Sequence, residues 1–225
     1  MSRILAIESA GPVCSAAMFE NGTSVLLKET QETNSHAEYL AIFCEELIHE
    51  VGIPDAISLD IGPGSYTGLR IGTSLAKGLA YGYGIPVIGL SGLECLADFV
   101  SQEFTDAGFL IPCLDARRME IYHAIYTPSM EQIQKPEALV VDEKVWKDRA
   151  GKKVLFGDGA NKLTEILKDR KDIEIRSGIF PSAEHQLRLS FRKFERNEFL
   201  DLAYFEPFYL KEFIALTSKK KNHVG

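Results

Sequence analysis

The chain has 225 residues, 45% of them hydrophobic and 25% charged, which suits one large domain or two small ones of an ordinary globular protein. A formal net charge of -7 argues against unassisted binding to a nucleic-acid backbone, and no apolar run is long enough to span a membrane. Met1-Ser2-Arg3 leads straight into a strand pattern rather than a signal peptide, and the four cysteines, Cys14, Cys44, Cys95 and Cys113, sit far apart in apolar runs, so buried free thiols in a reducing cytoplasm are expected.

Periodicity and turn residues set out the elements in order. Ile4, Leu5 and Ile7 begin a first strand, Val13 to Phe19 reads as a second and Ser24 to Thr30 as a third, with the hairpin signal Asn21-Gly22 between the last two. Ser35-His36-Ala37-Glu38 reads as a capping box, with Ser35 as the cap. Leu40, Phe43, Cys44, Leu47 and Val51 continue it as the apolar stripe of a helix that Gly52 and Pro54 end. Ile57, Leu59 and Ile61 alternate as a strand, and a second helix runs from Thr67 to Tyr83 with Ile71, Leu75, Leu79 and Tyr83 on one face. Pro86 to Leu90 is a short buried strand and Ser91 to Val100 a further helix. The order βββαβαβ, an antiparallel hairpin feeding a parallel sheet, is that of one half of the actin-like ATPase (ASKHA, ribonuclease H-like) α/β fold.

A second half starts near Gly108. Leu110 to Leu114 and Glu120 to Thr127 read as strands about the polar turn Asp115-Ala116-Arg117-Arg118, and Ala138 to Val141 and Val154 to Phe156 as further strands. Gly157-Asp158-Gly159 opens a helix from Asn161 to Lys168, and Pro181 to Glu195 reads as a last long helix. Phe205 to Leu210 is aromatic and broken by proline, so an extended strap is expected, followed by a solvated tail around Lys219 to Lys221. The expected division is 1–107 and 108–215, two subdomains with mixed sheets, then a polar tail 216–225.

The stretch Gly62-Pro63-Gly64-Ser65-Tyr66-Thr67-Gly68-Leu69-Arg70-Ile71-Gly72 joins a strand to a helix through a glycine-rich turn. Gly62 and Gly64 open backbone angles closed to other residues, and Ser65 or Thr67 can cap the helix. Gly62, Gly64, Ser65 and Thr67 are therefore a candidate phosphate or anion loop, although no Gly-Lys-Ser/Thr makes it a Walker A loop. In the helix that follows, Gly68, Gly72, Ala76 and Ala80 form a stripe of small side chains. Two readings of that stripe are compatible: tight packing on a sheet, and a subunit interface.

These motifs in this order resemble the TsaB (YeaZ) family of the tRNA threonylcarbamoyladenosine pathway, related to TsaD and the glycoprotease group. The resemblance rests on Ile4-Leu5-Ala6-Ile7-Glu8-Ser9, Cys14-Ser15-Ala16-Ala17, His36 with Glu38, the whole glycine turn, Leu114 to Tyr122 and Glu206-Pro207-Phe208-Tyr209-Leu210. Where this chain has Glu8-Ser9-Ala10, the family often carries Asp-Thr-Ser. The resemblance implies a non-catalytic cytoplasmic subunit that supports a TsaD-like transferase, with a TsaE-like ATPase, in forming N6-threonylcarbamoyladenosine at position 37 of tRNAs reading ANN codons. It implies no cofactor of its own, ATP being used by the complex, and only indirect contact with tRNA. The contact with the TsaD-like protein would bundle residues 36–51 and 67–83 against the matching helices, through Leu40, Phe43, Leu47, Gly68, Gly72, Leu75, Ala76 and Leu79. Alone, the chain would homodimerise through the same face. Gly72→Arg or Ala76→Arg is then expected to break the complex and leave the monomer folded.

Enzyme readings are weaker on the residues. Pro12 stands in the first loop where open amides would help, and the second loop, Asp115-Ala116-Arg117-Arg118, has no glycine. Arg117 and Arg118 could hold an anion or form ion pairs across the cleft. His36 is followed four residues on by Leu40, so a His-x-x-x-His metal pair is missing and no metal is expected. Ser65 is not on a GxSxG elbow, which leaves no catalytic residue to name. The alternative is a small-molecule kinase or ATPase of the same fold, using the glycine turn for phosphate.

Overall fold

The unbroken apolar run of the first strand, β1 (Arg3–Glu8), has a simple cause: both of its faces are covered. The computed structural model describes residues 2–32 and 36–211. In it, Leu5 and Ile7 point into one core, with Leu40, Cys44, Leu47, Ala76 and Ala80, while Ile4 and Ala6 point into another, with Cys95, Ala183 and Leu189. β2 (Cys14–Glu20) and β3 (Thr23–Thr30) pair antiparallel on one side of β1, through a turn in which Asn21 and Gly22 both take positive φ, 51° and 79°. β4 (Ala56–Asp60) and β5 (Val87–Leu90) pair parallel on the other side, giving the order β3-β2-β1-β4-β5. The helices α1 (His36–Val51) and α2 (Tyr66–Tyr83) lie side by side over the first core. The expected cap Ser35 falls outside the described residues, as does the lysine-rich tail.

The second sheet repeats the plan. β6 (Phe109–Asp115), β7 (Glu120–Tyr126), β8 (Gln132–Val140), β9 (Lys153–Phe156) and β10 (Ile173–Arg176) run β8-β7-β6-β9-β10, with the antiparallel hairpins and parallel pairs in the same places. This duplicated order is that of the actin-like, ribonuclease H-like α/β fold. The strand expected at Ala138 is the end of the longer β8, and β10 was not expected. The helix expected from Asn161 to Lys168 is a 3-10 turn (Asn161–Leu163) leading into the short α4 (Thr164–Leu167). The last long helix is likewise split, into a 3-10 turn (Ala183–Gln186) and α5 (Leu187–Glu195). The split follows from Gln186, fully buried, which donates to the Ile7 carbonyl (2.8 Å) and accepts from the Ser58 hydroxyl (2.6 Å), drawing the turn down onto the sheet.

The helices cross between the two sheets. α3 (Gly92–Ser101) follows β5, yet Leu93, Leu96, Ala97 and Val100 pack on Leu110, Leu114, Ala124, Tyr126, Val154 and Phe156 of the second sheet. Ala183 and Leu189, late in the chain, pack back on the first. After α5, residues 200–211 run as a strap without regular structure. The Leu200 amide donates to Val87 on the edge of β5 (2.8 Å), the Phe208 amide to Ile61 (2.7 Å), and Lys211 pairs with Glu120 of β7.

Candidate functional site

Two carboxyl groups meet where β1 and β4 end. Glu8 is the last residue of β1 and Asp60 the last of β4, and the register that sets Ile7 beside Leu59 brings them side by side. Their exposures are 2% and 1%. Glu8 Oε1 accepts from the amides of Ala10 (2.7 Å) and Gly11 (3.3 Å). Asp60 Oδ1 accepts from the amides of Gly62 (2.7 Å) and Gly92 (2.9 Å), the latter at the start of α3. The two side chains also share a hydrogen bond, which needs a proton on one of them. Burial first, then the charge of Asp60, push Glu8 well above the usual carboxylate range, so Glu8 holds that proton. Burial raises Asp60 too, while the Glu8 hydrogen bond and the two amides favour its anion.

The loops around this pair are closed by the protein itself. A Cβ on Gly64 would lie 2.6 Å from the Ala10 carbonyl, and the Ser65 amide donates to that carbonyl at 2.8 Å. Gly62, at φ 112°, would set a Cβ 2.8 Å from the Phe208 carbonyl of the strap. Of the four candidate anion-loop residues, Gly62 and Ser65 thus donate their amides to Asp60 and Ala10, Gly64 is wedged against Ala10, and Thr67 is exposed. Ser65, rather than Thr67, is the helix cap: its Oγ accepts from the Gly68 amide at 3.2 Å. The Pro181 side chain covers Gly11, 3.1 Å from where a Cβ would stand. His36, half-buried at the start of α1, bonds the backbone of Gly11 and Val13, and burial lowers its pKa. It holds the first loop in place.

The second sheet carries a related pair. Asp115 ends β6, and Asp158 lies just past β9, where burial pushes it up to about 6. The Lys162 ammonium sits among oxygens here: Asp115 Oδ1 (2.5 Å), the Glu120 carbonyl (2.5 Å) and the Arg118 carbonyl (3.0 Å). Lys162 and Lys211 make the ion pairs of this corner, whereas Arg117 and Arg118 stand exposed at the hairpin tip instead of pairing across the cleft. Among the described residues, no group of three or more His, Cys, Asp or Glu could hold a metal ion, and no helix is long and apolar enough to cross a membrane. All four cysteines are buried and outside any disulfide, with Cys44 pushed up to about 12 by burial.

The residues expected at a partner interface divide. Leu40, Leu47, Gly68, Gly72 and Ala76 are buried within this chain, while Phe43, Leu75 and Leu79 are half-buried along the flanks of α1 and α2. The reason is the strand end beneath the helix. A Cβ on Gly68 would lie 1.9 Å from the Ser9 carbonyl, and one on Gly72 2.2 Å from Ser9 Oγ, so this small stripe lets α2 lie on β1. An arginine at Gly72 or Ala76 would therefore unfold the monomer, which corrects the expectation above. A second small stripe, Ser74, Gly78 and Gly82, faces outward; a Cβ at either glycine would meet nothing within 4 Å.

The family model "TsaD: tRNA N6-adenosine threonylcarbamoyltransferase" matches residues 30–211. The "tRNA threonylcarbamoyladenosine biosynthesis protein TsaB" of Escherichia coli (strain K12) is 29% identical, covering 95% of this chain and 96% of that protein. The protein of the same name in Bacillus subtilis (strain 168) is 33% identical over 55% of this chain and 54% of its own length. YeaZ from Pseudomonas aeruginosa superposes with a TM-score of 0.80 at 27% identity, covering 93% of this chain and 100% of that one.

Proposed function

We propose, from the premise that this chain belongs to the TsaB (YeaZ) family, that it serves tRNA threonylcarbamoyladenosine biosynthesis as a non-catalytic subunit. The observation that carries the non-catalytic part is the closed strand-end pair. Glu8 and Asp60 occupy the loop amides that a phosphate would need, at 2% and 1% exposure. In this reading the chain carries no cofactor of its own; a TsaD-like transferase performs the transfer to adenosine 37, and a TsaE-like ATPase uses the ATP.

The docking face is the outer side of α1 and α2. A glycine in a helix interior costs ~1 kcal/mol relative to alanine. Nothing among the described residues requires Gly78 or Gly82, but a partner helix coming close over Ser74, Gly78 and Gly82 would. Ile42 and Tyr81, 44% and 84% exposed, supply apolar contact on the same two helices. Without its partner the chain pairs with a second copy over this face.

An omission assay tests the role. A threonylcarbamoyl-adenylate synthase, the TsaD-like and TsaE-like proteins, ATP, threonine, bicarbonate and tRNA are incubated with and without this chain, and modified adenosine is measured by mass spectrometry. Product only in its presence, with no ATP turnover by the chain alone, is expected; equal product without it overturns the role. Gly78→Arg is expected to abolish co-purification with the TsaD-like protein while the monomer keeps its circular dichroism spectrum and melting temperature. Retained co-purification would remove α2 from the interface.

A further inference from the structure

The exposed arginines at the β6–β7 turn have no place in the role proposed above, and they belong to a longer surface. Arg117 and Arg118 occupy consecutive left-handed positions, φ 68° and 52°. Among the bonds that hold that turn are the Arg117 amide to Asp115 Oδ1 (2.7 Å), the Ala116 amide to the Glu120 carbonyl (3.1 Å), the Glu120 amide to the Arg117 carbonyl (3.3 Å), and Lys162 Nζ to the Arg118 carbonyl (3.0 Å). The backbone that presents the two guanidiniums is thus fixed in advance. Both arginines are exposed, and neither forms an ion pair among the described residues.

From this turn the surface continues along the strap. Tyr122 feels the charges of both Arg117 and Lys211, and the Lys211 ammonium lies 5.7 Å from the centre of its ring. Two residues back along the chain, its Cα at most about 7 Å from that of Lys211, Tyr209 packs against Tyr66 with ring centres 5.0 Å apart. Arg70 lies over the Tyr66 ring at 4.3 Å and bonds the Tyr209 hydroxyl. Tyr209 and its neighbour Phe208 remain 37% and 42% exposed. Two of the nearby acids are occupied, Glu120 by Lys211 and Asp115 by Lys162, while Glu206 of the strap stays exposed. The result is a strip of guanidiniums alternating with aromatic rings, on a chain whose overall charge is -7.

That alternation suits one partner chemistry. Phosphodiesters take guanidiniums in two-point hydrogen bonds, and unstacked bases take the faces of tyrosine and phenylalanine. A net charge of -7 disfavours loose, non-specific binding of a polyanion, so contact depends on such local clusters of positive charge. We propose that the strip from Arg70 through Tyr209 to Arg117 and Arg118 is a direct contact for single-stranded RNA, the unpaired loop of the tRNA. This rests on the reading that the chain serves a tRNA-modifying assembly, and replaces the indirect contact expected from the family by a direct one.

The full chain, alone and mixed with its TsaD-like partner, is titrated with a fluorescein-labelled anticodon stem-loop RNA over a series of salt concentrations. The exposed double variant R117A/R118A is expected to weaken binding and to lower the slope of log affinity against log salt by about 1.4, two single-strand phosphate contacts. Tyr209→Ala should weaken binding roughly ten-fold and Tyr209→Phe much less, because the ring face is what stacks. Lys152→Ala, an exposed site beside Phe109 at the opposite end of β6 from the arginine turn, should change neither quantity. Wild-type affinity and slope in R117A/R118A overturn the proposal. So does displacement of the RNA by polyglutamate as readily as by unlabelled RNA, which would mark a site for an acidic protein. The omission assay separates the two readings. A chain still required for product, with RNA binding untouched by R117A/R118A, leaves the family role and removes this contact. A dispensable chain that binds RNA through the strip does the reverse.

Discussion

Glu8 carries a proton in the folded state that it would release on unfolding, and this gives a sign to the stability of the protein against pH. Its ordinary value is 4.5, and burial beside Asp60 raises it well above that. The folded chain therefore binds more protons than the unfolded chain, and this contribution to stability declines as pH climbs from about 4.5 towards the raised value. Asp158, pushed up from 3.8 to about 6, acts in the same direction between those values. His185, lowered to about 4 by burial, acts oppositely, but only up to its ordinary 6.5. Comparing the wild type with a Glu8 variant isolates this group, because the other groups titrate in both chains. Glu8→Gln keeps an oxygen for the Ala10 and Gly11 amides and offers Asp60 an N–H. The expected outcome is a wild-type urea midpoint that falls relative to the variant's as pH climbs from about 4.5; a difference that does not change with pH would show that Glu8 is ionised in the fold. Half of this pair was legible in the sequence. Glu8 stood in a recognisable loop motif, but Asp60 drew no notice. The signal was there, an acid closing an otherwise apolar strand just ahead of a glycine turn, yet its partner is fifty-two residues away, and adjacency across a sheet is not a local property.

At the scale of elements, α2 shows what periodicity can and cannot say. Both small stripes follow from its 3.6-residue repeat, but which one faces inward depends on Ser9, brought in by a different strand. The two stripes should respond oppositely to a single methyl group. Gly72→Ala is expected to destabilise the monomer by about 1–3 kcal/mol, because the new carbon meets Ser9 Oγ in a closed space. Gly78→Ala is expected to stabilise it by up to about 1 kcal/mol, since it gains helix propensity and meets nothing. Chemical denaturation of the two variants measures both, and a loss of stability at Gly78 would mean that its outward position is needed by the monomer. Strands buried on both faces were readable because they are continuously apolar. β8 and β10 were harder, the first because it alternates exposed and half-buried positions and includes Lys135 and Pro136, the second because it is four residues long.

For the whole molecule, the division of the chain near residue 107 separates the strands of the two sheets but not their cores. α3 belongs to the first segment and covers the second sheet, and α5 does the converse, joined to α3 by the Arg188–Asp98 ion pair at 2.7 Å. A fragment of residues 1–107 would expose the apolar face of α3 and lose Ala183, Gln186 and Leu189 from beneath β1. It is expected to lack the near-ultraviolet circular dichroism and sharp amide resonances of a folded domain, and to gain them only when the remainder is supplied; a cooperatively melting fragment would show that the exchange is dispensable. The strap adds a further constraint. It is bonded at Val87, at Ile61 and at Glu120, so it spans the joint between the two sheets like a stay across a clamshell. Enzymes that cycle nucleotides in such a joint must let the shell open and shut. A strap bonded to both sheets opposes opening of that joint, so in the role proposed above the chain would present one outline to its partners and leave the timing to them.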